Sequence, residues 1–124
     1  MEEFRYRKLK VYGKAQEWVI LVYGLLKGFP KEEQYALCDQ IRRAAVSVTA
    51  NIAEGYGRGT DKDKAHFLSI SYGSLMETQS HLEIAQLLNY INQDELNAIT
   101  ERTAEIARML SGLRAKITAP SSSL

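Results

Sequence analysis

Cysteine and proline are scarce in this 124-residue chain, and neither sign of charge dominates it. Cys38 is the only cysteine, so no disulfide can form within the chain, and a lone thiol is typical of a reducing compartment. The longest apolar stretch, residues 18–26, is too short to cross a bilayer, and the charged amino terminus lacks a signal-peptide core. We therefore expect a cytoplasmic protein without membrane contact.

The only prolines, Pro30 and Pro120, leave a long interval in which helices can run without interruption. Apolar residues recur three or four positions apart in four segments, which predicts helices over about residues 8–27, 31–54, 61–90 and 93–117. Short joints make consecutive helices antiparallel neighbours. The predicted fold is an all-α, up-down-up-down four-helix bundle in one domain, residues 1–118, followed by a disordered tail at 119–124.

The same spacing predicts which residues of each helix are buried, and capping residues predict where two of the helices begin. Thr60 is the predicted N-cap of the third helix, and Asn92 with Glu95 predicts a capping box at the fourth. The predicted core lines of the second, third and fourth helices are Cys38, Ile41, Ala45, Val48, Ile52; Phe67, Ser71, Ser74, Thr78, His81 or Leu82, Ala85; and Leu96, Ile99, Thr103, Ile106, Leu110, Leu113, Ile117.

The second and third helices have more apolar and small residues than one bundle can cover. Away from the core line, the second helix carries Gln40, Arg43, Ser47, Asn51 and Glu54. The third carries two further lines: His66, Gly73, Glu77, Ser80, Ile84, Ile91, and Leu68, Tyr72, Met76, Tyr90. A helix that is apolar around most of its circumference is buried around most of it, which predicts a second subunit on these faces. The alternative is a solvated polar face.

The same two helices carry a pattern that resembles a known bacterial family. Its elements fall here at residues 29–30 (Phe-Pro), 40–44 (Gln-Ile-Arg-Arg-Ala), Ser47, 51–55 (Asn-Ile-Ala-Glu-Gly), Arg58, 73–75 (Gly-Ser-Leu) and Glu77. In this order and spacing, about residues 5–117 are similar to the four-helix-bundle proteins related to those encoded by intervening sequences in 23S ribosomal RNA genes.

The resemblance implies a left-handed bundle that assembles as a ring, characteristically a homopentamer. It implies no particular cellular role. A more distant resemblance is to the basic accessory protein of diversity-generating retroelements, which works with a reverse transcriptase and nucleic acid. This chain departs from that protein in charge, because its net charge is only +1 and residues 65–100 contain no Lys or Arg.

A polar network is predicted at the interface between subunits. A buried guanidinium needs a carboxylate, so we expect Arg43 and Arg58 to pair with acids such as Glu54 and Glu77. The full predicted set is Gln40, Arg43, Ser47, Asn51, Glu54, Arg58, Gly73 and Glu77.

Catalytic and ligand-binding patterns are weak in this sequence. The glycines at 55, 57 and 59 follow a helix, whereas a phosphate loop precedes one, and the next helix opens with Asp61 and Asp63. His66 and His81 are about 22 Å apart along a helix, too far to share a metal. We therefore expect a non-enzymatic protein with no metal and no cofactor.

The main functional alternative is binding of RNA or DNA by an amino-terminal basic patch, Arg5, Arg7, Lys8, Lys10 and Lys14, interleaved with Tyr6 and Tyr12. Cations contact phosphates and aromatic rings stack on bases. The plainer interpretation is a solvated charged arm. The leading hypothesis is a ring-forming interaction protein whose partner is a second copy of itself, with no other protein partner indicated.

Overall fold

Four helices account for most of the described chain. The computed structural model describes residues 3–119, with α1 at Lys10–Leu26, α2 at Leu37–Tyr56, α3 at Asp61–Leu87 and α4 at Gln93–Thr118. Each helix packs on the next, α1 also packs on α4, and the contact between α2 and α3 is the most extensive. Residues 3–119 form no strand, which confirms the all-α four-helix prediction. The left-handed sense and the single domain remain predictions.

The core is built from the lines that the spacing predicts in α2 and α4. Every predicted core residue of α2 is buried, and so are the first five of α4, from Leu96 to Leu110. Leu113 and Ile117 are partly buried because α4 extends beyond the middle of the bundle. Trp18 of α1 is completely buried, and its indole Nε1 donates to Thr103 Oγ1 of α4 at 3.0 Å.

The predicted orientation of α3 is partly wrong. Leu68 was assigned to an outer face but is buried, as is Leu75, whereas Phe67 and Ser74 of the predicted line are only partly buried. Ile91, also assigned outside the core, is buried beyond the end of α3. Polar side chains share the core face of this helix, which weakens its apolar period.

Helix ends follow local hydrogen bonding. Residues 31–36 were predicted as the start of the second helix, but they form a 3-10 turn, Lys31–Glu33, and an irregular link. Ala36, with φ −123° and ψ −97°, interrupts the helical path, so α2 begins at Leu37.

Among the other ends, α3 begins at Asp61 as predicted, and both ends of α4 lie within one residue of the predicted limits. The first helix begins at Lys10 after a 3-10 turn at Arg5–Lys8, and α3 ends at Leu87, earlier than predicted. Asn89 has φ 64°, and the N–H groups of Asn89 and Tyr90 donate to the carbonyls of Gln86 and Ala85, a Schellman termination. The caps at Thr60 and Asn92 are confirmed. The predicted tail, apart from Ala119, lies outside the described residues.

Candidate interaction surfaces

Three polar residues join α2 to α3 near the middle of the bundle. Ser47 Oγ lies 2.9 Å from Ser74 Oγ across the two helices. Asn51 Nδ2 donates to both the carbonyl oxygen and Oγ of Ser47, each at 2.8 Å. All three residues are partly buried at the outer edge of the contact, so they form a small polar notch on the surface. Ser74 was placed in the core by its spacing, and only the structure reveals its pairing with Ser47.

The charged members of the predicted network form short-range pairs within one chain. Arg58 Nε lies 3.5 Å from Glu54 Oε2, and its guanidinium stacks over the Phe67 ring at 4.8 Å from the centroid. Glu77 Oε2 is 3.4 Å from His81 Nε2. Within this chain, the network therefore divides into separate pairs.

Arg43 and Gly73 stand apart from these pairs. The side chain of Arg43 is 81% exposed, and Asp39, at 4.0 Å, is its only ion-pair partner within residues 3–119. Gly73 is exposed on α3, and a Cβ added there would meet no atom within 4 Å. Gln40 is exposed at the other end of the same surface.

Large apolar side chains remain exposed around this surface. They are Val46 on α2 and Ile70, Tyr72, Met76 and Ile84 on α3, each more than a third exposed. A second set, Ile20 and Tyr23, lies on α1 next to α2. Clustered exposure of this kind is typical of interaction sites rather than of ordinary surface.

The opposite side of the bundle is different. Lys14 of α1 pairs with Glu105 of α4 at 3.3 Å, and Glu17 of α1 pairs with Arg102 of α4 at 3.8 Å. Within residues 3–119, these are the only ion pairs that connect two of the four helices. The α1/α4 side thus has the paired charges expected of a surface in water.

The predicted basic patch is arranged around an aromatic cluster. Phe4 and Tyr6 stack with centroids 6.0 Å apart, Tyr6 meets Tyr12 edge-on at 4.9 Å, and the Arg7 guanidinium lies 4.6 Å from the Phe4 centroid. A shallow groove of about 380 Å³ opens beside Tyr6, Arg7 and Tyr12. Two members of the patch have acidic partners: Lys8 lies 3.6 Å from Glu3, and Lys14 contacts Glu105. Arg5 and Lys10 are exposed at the same end.

The up-down topology separates the charges of the chain into two halves. The half containing the start of α1, the end of α2, the start of α3 and the end of α4 comprises residues 3–18, 47–74 and 106–119. It holds eleven Lys or Arg against five Asp or Glu, a net +6. The remaining described half holds five against nine, a net −4. We call these the basic half and the acidic half.

Two titratable side chains outside these surfaces, Cys38 and Tyr90, contribute to packing and to a hydrogen bond within the fold. Burial raises the pKa of the Cys38 thiol above its usual value, which suits a packed side chain rather than a nucleophile. The Tyr90 hydroxyl donates to Glu33 at 2.8 Å, and this bond raises the tyrosine pKa and fixes the link before α2.

The described part of the chain also bears on metal binding and on membrane insertion. Within residues 3–119, no group of three His, Cys, Asp or Glu is placed to hold a metal ion. None of the helices in that range combines the length and the apolar character that a membrane crossing requires.

Comparison with known proteins places this chain in a family. The sequence model of the 23S rRNA-intervening sequence proteins matches residues 7–112. The chain belongs to this family. A crystal structure of a protein with unknown function from the S23 ribosomal protein family of Bacteroides thetaiotaomicron VPI-5482 is similar, with 25% identity and a TM-score of 0.78. The match covers 84% of this chain and 97% of that one. The comparison with curated proteins gave no match.

Membership of the 23S rRNA-intervening sequence family confirms the resemblance seen in the sequence. The matched residues include Phe29-Pro30, the Asn-Ile-Ala-Glu-Gly segment and the glycines at 57 and 59. The interface residues and the basic patch remain predictions, as does the link to the retroelement accessory protein.

Proposed function

We propose that this protein is a non-enzymatic scaffold that assembles through α2 and α3 into a homopentameric ring in the cytoplasm. One observation carries the proposal: Val46, Ile70, Met76 and Ile84 stay exposed on α2 and α3, whereas the interhelix ion pairs lie on the α1/α4 side. The subunit number five is supported by the sequence resemblance.

Burial of these side chains would supply the driving force. Removing apolar surface from water stabilises a complex by about 25 cal/mol per Å², before the cost of association. The Ser47–Asn51–Ser74 notch would lie in the same contact, where its hydroxyl and amide groups could bond a neighbouring subunit. The exposed guanidinium of Arg43 would gain a partner there.

The decisive experiment is the native mass, measured by light scattering after size exclusion over a dilution series. We expect about five times the 14.0 kDa of the chain. Ile84→Glu should lower the mass, because it places a charge in the contact. Leu21→Glu is the matched control, since Leu21 is 43% exposed and Ile84 47%, and Leu21 lies beside α4.

One outcome would exclude the ring, and two others would revise its proposed interface. A wild-type mass of one chain at all concentrations would exclude self-assembly. Equal loss of mass in Ile84→Glu and Leu21→Glu would remove α3 from the interface. An unchanged mass in Arg43→Ala would remove Arg43 from the polar network.

A second candidate function is the binding of RNA or DNA at the basic half. The observation that favours it is the concentration of positive charge around the exposed Phe4 and Arg7 and the partly buried Tyr6. A single strand offers phosphates for the cations and unpaired bases for the rings. In a ring, the same patch would recur in every subunit, and repetition strengthens weak sites.

Titration of labelled single strands at two salt concentrations tests this function. We expect affinity to fall as salt rises, because phosphate contacts release counterions. Arg7→Gln with Lys10→Gln should weaken binding and flatten the salt dependence. Lys27→Gln with Lys31→Gln, which removes the same charge from the acidic half, should leave binding unchanged. Equal effects of the two pairs would contradict a localised site.

A further inference from the structure

We propose that each junction of the ring is formed by two different faces, with α3 of one subunit lying in the groove between α1 and α2 of the next. This inference rests on the proposed ring and specifies how its subunits meet. The partner is a second copy of this chain.

Ring geometry requires two faces. A two-fold dimer uses one face against itself, but a closed ring of more subunits joins one face to a different face of its neighbour. The ridge of α3 supplies one face. Its outward line is Ile70, Gly73, Glu77 and Ile84, spaced three, four and seven residues apart and therefore aligned along one side of the helix.

The second face is the groove between α1 and α2. It has a volume of about 400 Å³ and is lined by Tyr23, Arg42, Arg43, Val46, Ser47 and Ala50. Its floor is largely apolar, and Ile20, 71% exposed, extends the apolar surface along α1. Apolar grooves also open between α1 and α4, beside Leu9 and Met109 and beside Leu21 and Leu25, so the choice of the α1/α2 groove rests on its exposed Arg43.

The charges of ridge and groove are complementary. Arg42 is committed within its own chain, since Nη1 contacts Asp39 at 2.9 Å and Nη2 donates to Gln34 Oε1 at 2.8 Å. Arg43 has only the distant Asp39, so it is the cation that the groove offers to a partner. The ridge offers Glu77, 57% exposed, in a stretch from 65 to 100 with no Lys or Arg.

Gly73 supports a close approach at the centre of the ridge. Glycine destabilises the interior of a helix relative to alanine, and within residues 3–119 no atom lies within 4 Å of a Cβ placed at Gly73. The backbone of a neighbouring helix could therefore pass close to α3 at this point. This observation agrees with the charge and apolar matching but does not establish a site alone.

The test is complementation between two variants. Val46→Glu blocks the groove and leaves the ridge intact, and Ile84→Glu does the reverse; the two residues are 44% and 47% exposed. Each variant alone should be monomeric. An equimolar mixture should form a dimer, about twice 14.0 kDa, because one intact ridge meets one intact groove. Circular dichroism should show unchanged helix content in both.

A charge exchange provides the second measurement. Arg43→Glu and Glu77→Arg should each dissociate the ring, and the double variant should recover the wild-type mass. A ring in the wild type, with no dimer in the mixture and no recovery in the double variant, would overturn this pairing and leave the ring intact. A monomeric wild type would instead refute the proposed function itself.

Discussion

The α1/α4 and α2/α3 sides of the bundle are held together by different forces. Lys14–Glu105 and Glu17–Arg102 connect α1 with α4 at the surface, where ion pairs contribute little. Hydroxyl hydrogen bonds and close backbone approach connect α2 with α3, including Ser71 Oγ donating to the Val48 carbonyl at 2.7 Å. The first arrangement suits contact with water, and the second leaves a surface that suits contact with protein.

The largest effect is expected from crowding the α2/α3 side. A Cβ at Gly55 would lie 3.1 Å from Phe67 Cβ and 3.2 Å from the Lys64 carbonyl oxygen, and the backbone oxygen has little room to move. Gly55→Val should therefore lower the free energy of unfolding by about 1–3 kcal/mol, measured by urea denaturation followed with Trp18 fluorescence. Gly112→Val, at a position with open space, is the control. Equal losses would contradict the steric explanation.

The next largest loss of stability is expected from a hydrogen bond buried between α1 and α4. Thr103→Val preserves shape but leaves the buried Trp18 indole N–H without its acceptor, which should cost about 1–3 kcal/mol in the same measurement. Ser71→Ala, on the α2/α3 side, removes a donor while the Val48 carbonyl keeps its place in the helix ladder. Its cost should be nearer 1 kcal/mol. A larger loss for Ser71→Ala would reverse the comparison.

Gly73 on the α2/α3 side and Gly112 on the α1/α4 side allow a direct comparison of the two sides. Neither Gly73 nor Gly112 has a neighbour where a Cβ would lie, so replacing either with alanine should stabilise the monomer by about 0.5–1 kcal/mol. Gly112→Ala, at a position of α4 that lies beside α1, should give that gain without affecting assembly. Gly73→Ala should shift dissociation to higher protein concentration in a dilution series. Identical dilution profiles would argue against a neighbour over Gly73.

The smallest effect belongs to the surface ion pairs. A double-mutant cycle on Lys14 and Glu105, whose side chains are 40% and 43% exposed, should give a coupling of about 0.2–1 kcal/mol. High salt should reduce that coupling, because exposed charges are screened. A larger coupling that salt does not reduce would show that the Lys14–Glu105 pair is more shielded from water than its exposure indicates.

The regular parts of this fold could be predicted from sequence. In α2 and α4 the apolar residues are also the buried ones, so spacing alone located Ile41, Val48, Ile99 and Ile106 in the core. The caps at Thr60 and Asn92 also follow from local chemistry, since each side chain accepts from the backbone three residues on.

The orientation of α3 could not be predicted from its apolar residues. Ser71, Thr78 and Gln79 are buried there because each finds a hydrogen-bond partner, while Ile84 and Leu87 remain exposed. In α3, the spacing of the apolar residues therefore does not identify the buried face. The contact between Ser47 and Ser74 could not be predicted either, because only the packed helices bring together two residues that are 27 positions apart.

The division into basic and acidic halves gives each subunit an electric polarity along its length. Rotation about a ring axis leaves the axial component of that polarity identical in every copy, so like ends would lie beside like ends and repel. Dissolved salt screens this repulsion within about 10 Å at 0.1 M, and it also screens the proposed attraction between Arg43 and Glu77. The same salt would weaken any hold on a phosphate backbone. Assembly would then respond less to ionic strength than nucleic-acid binding, because salt screens both its repulsive and its attractive charges.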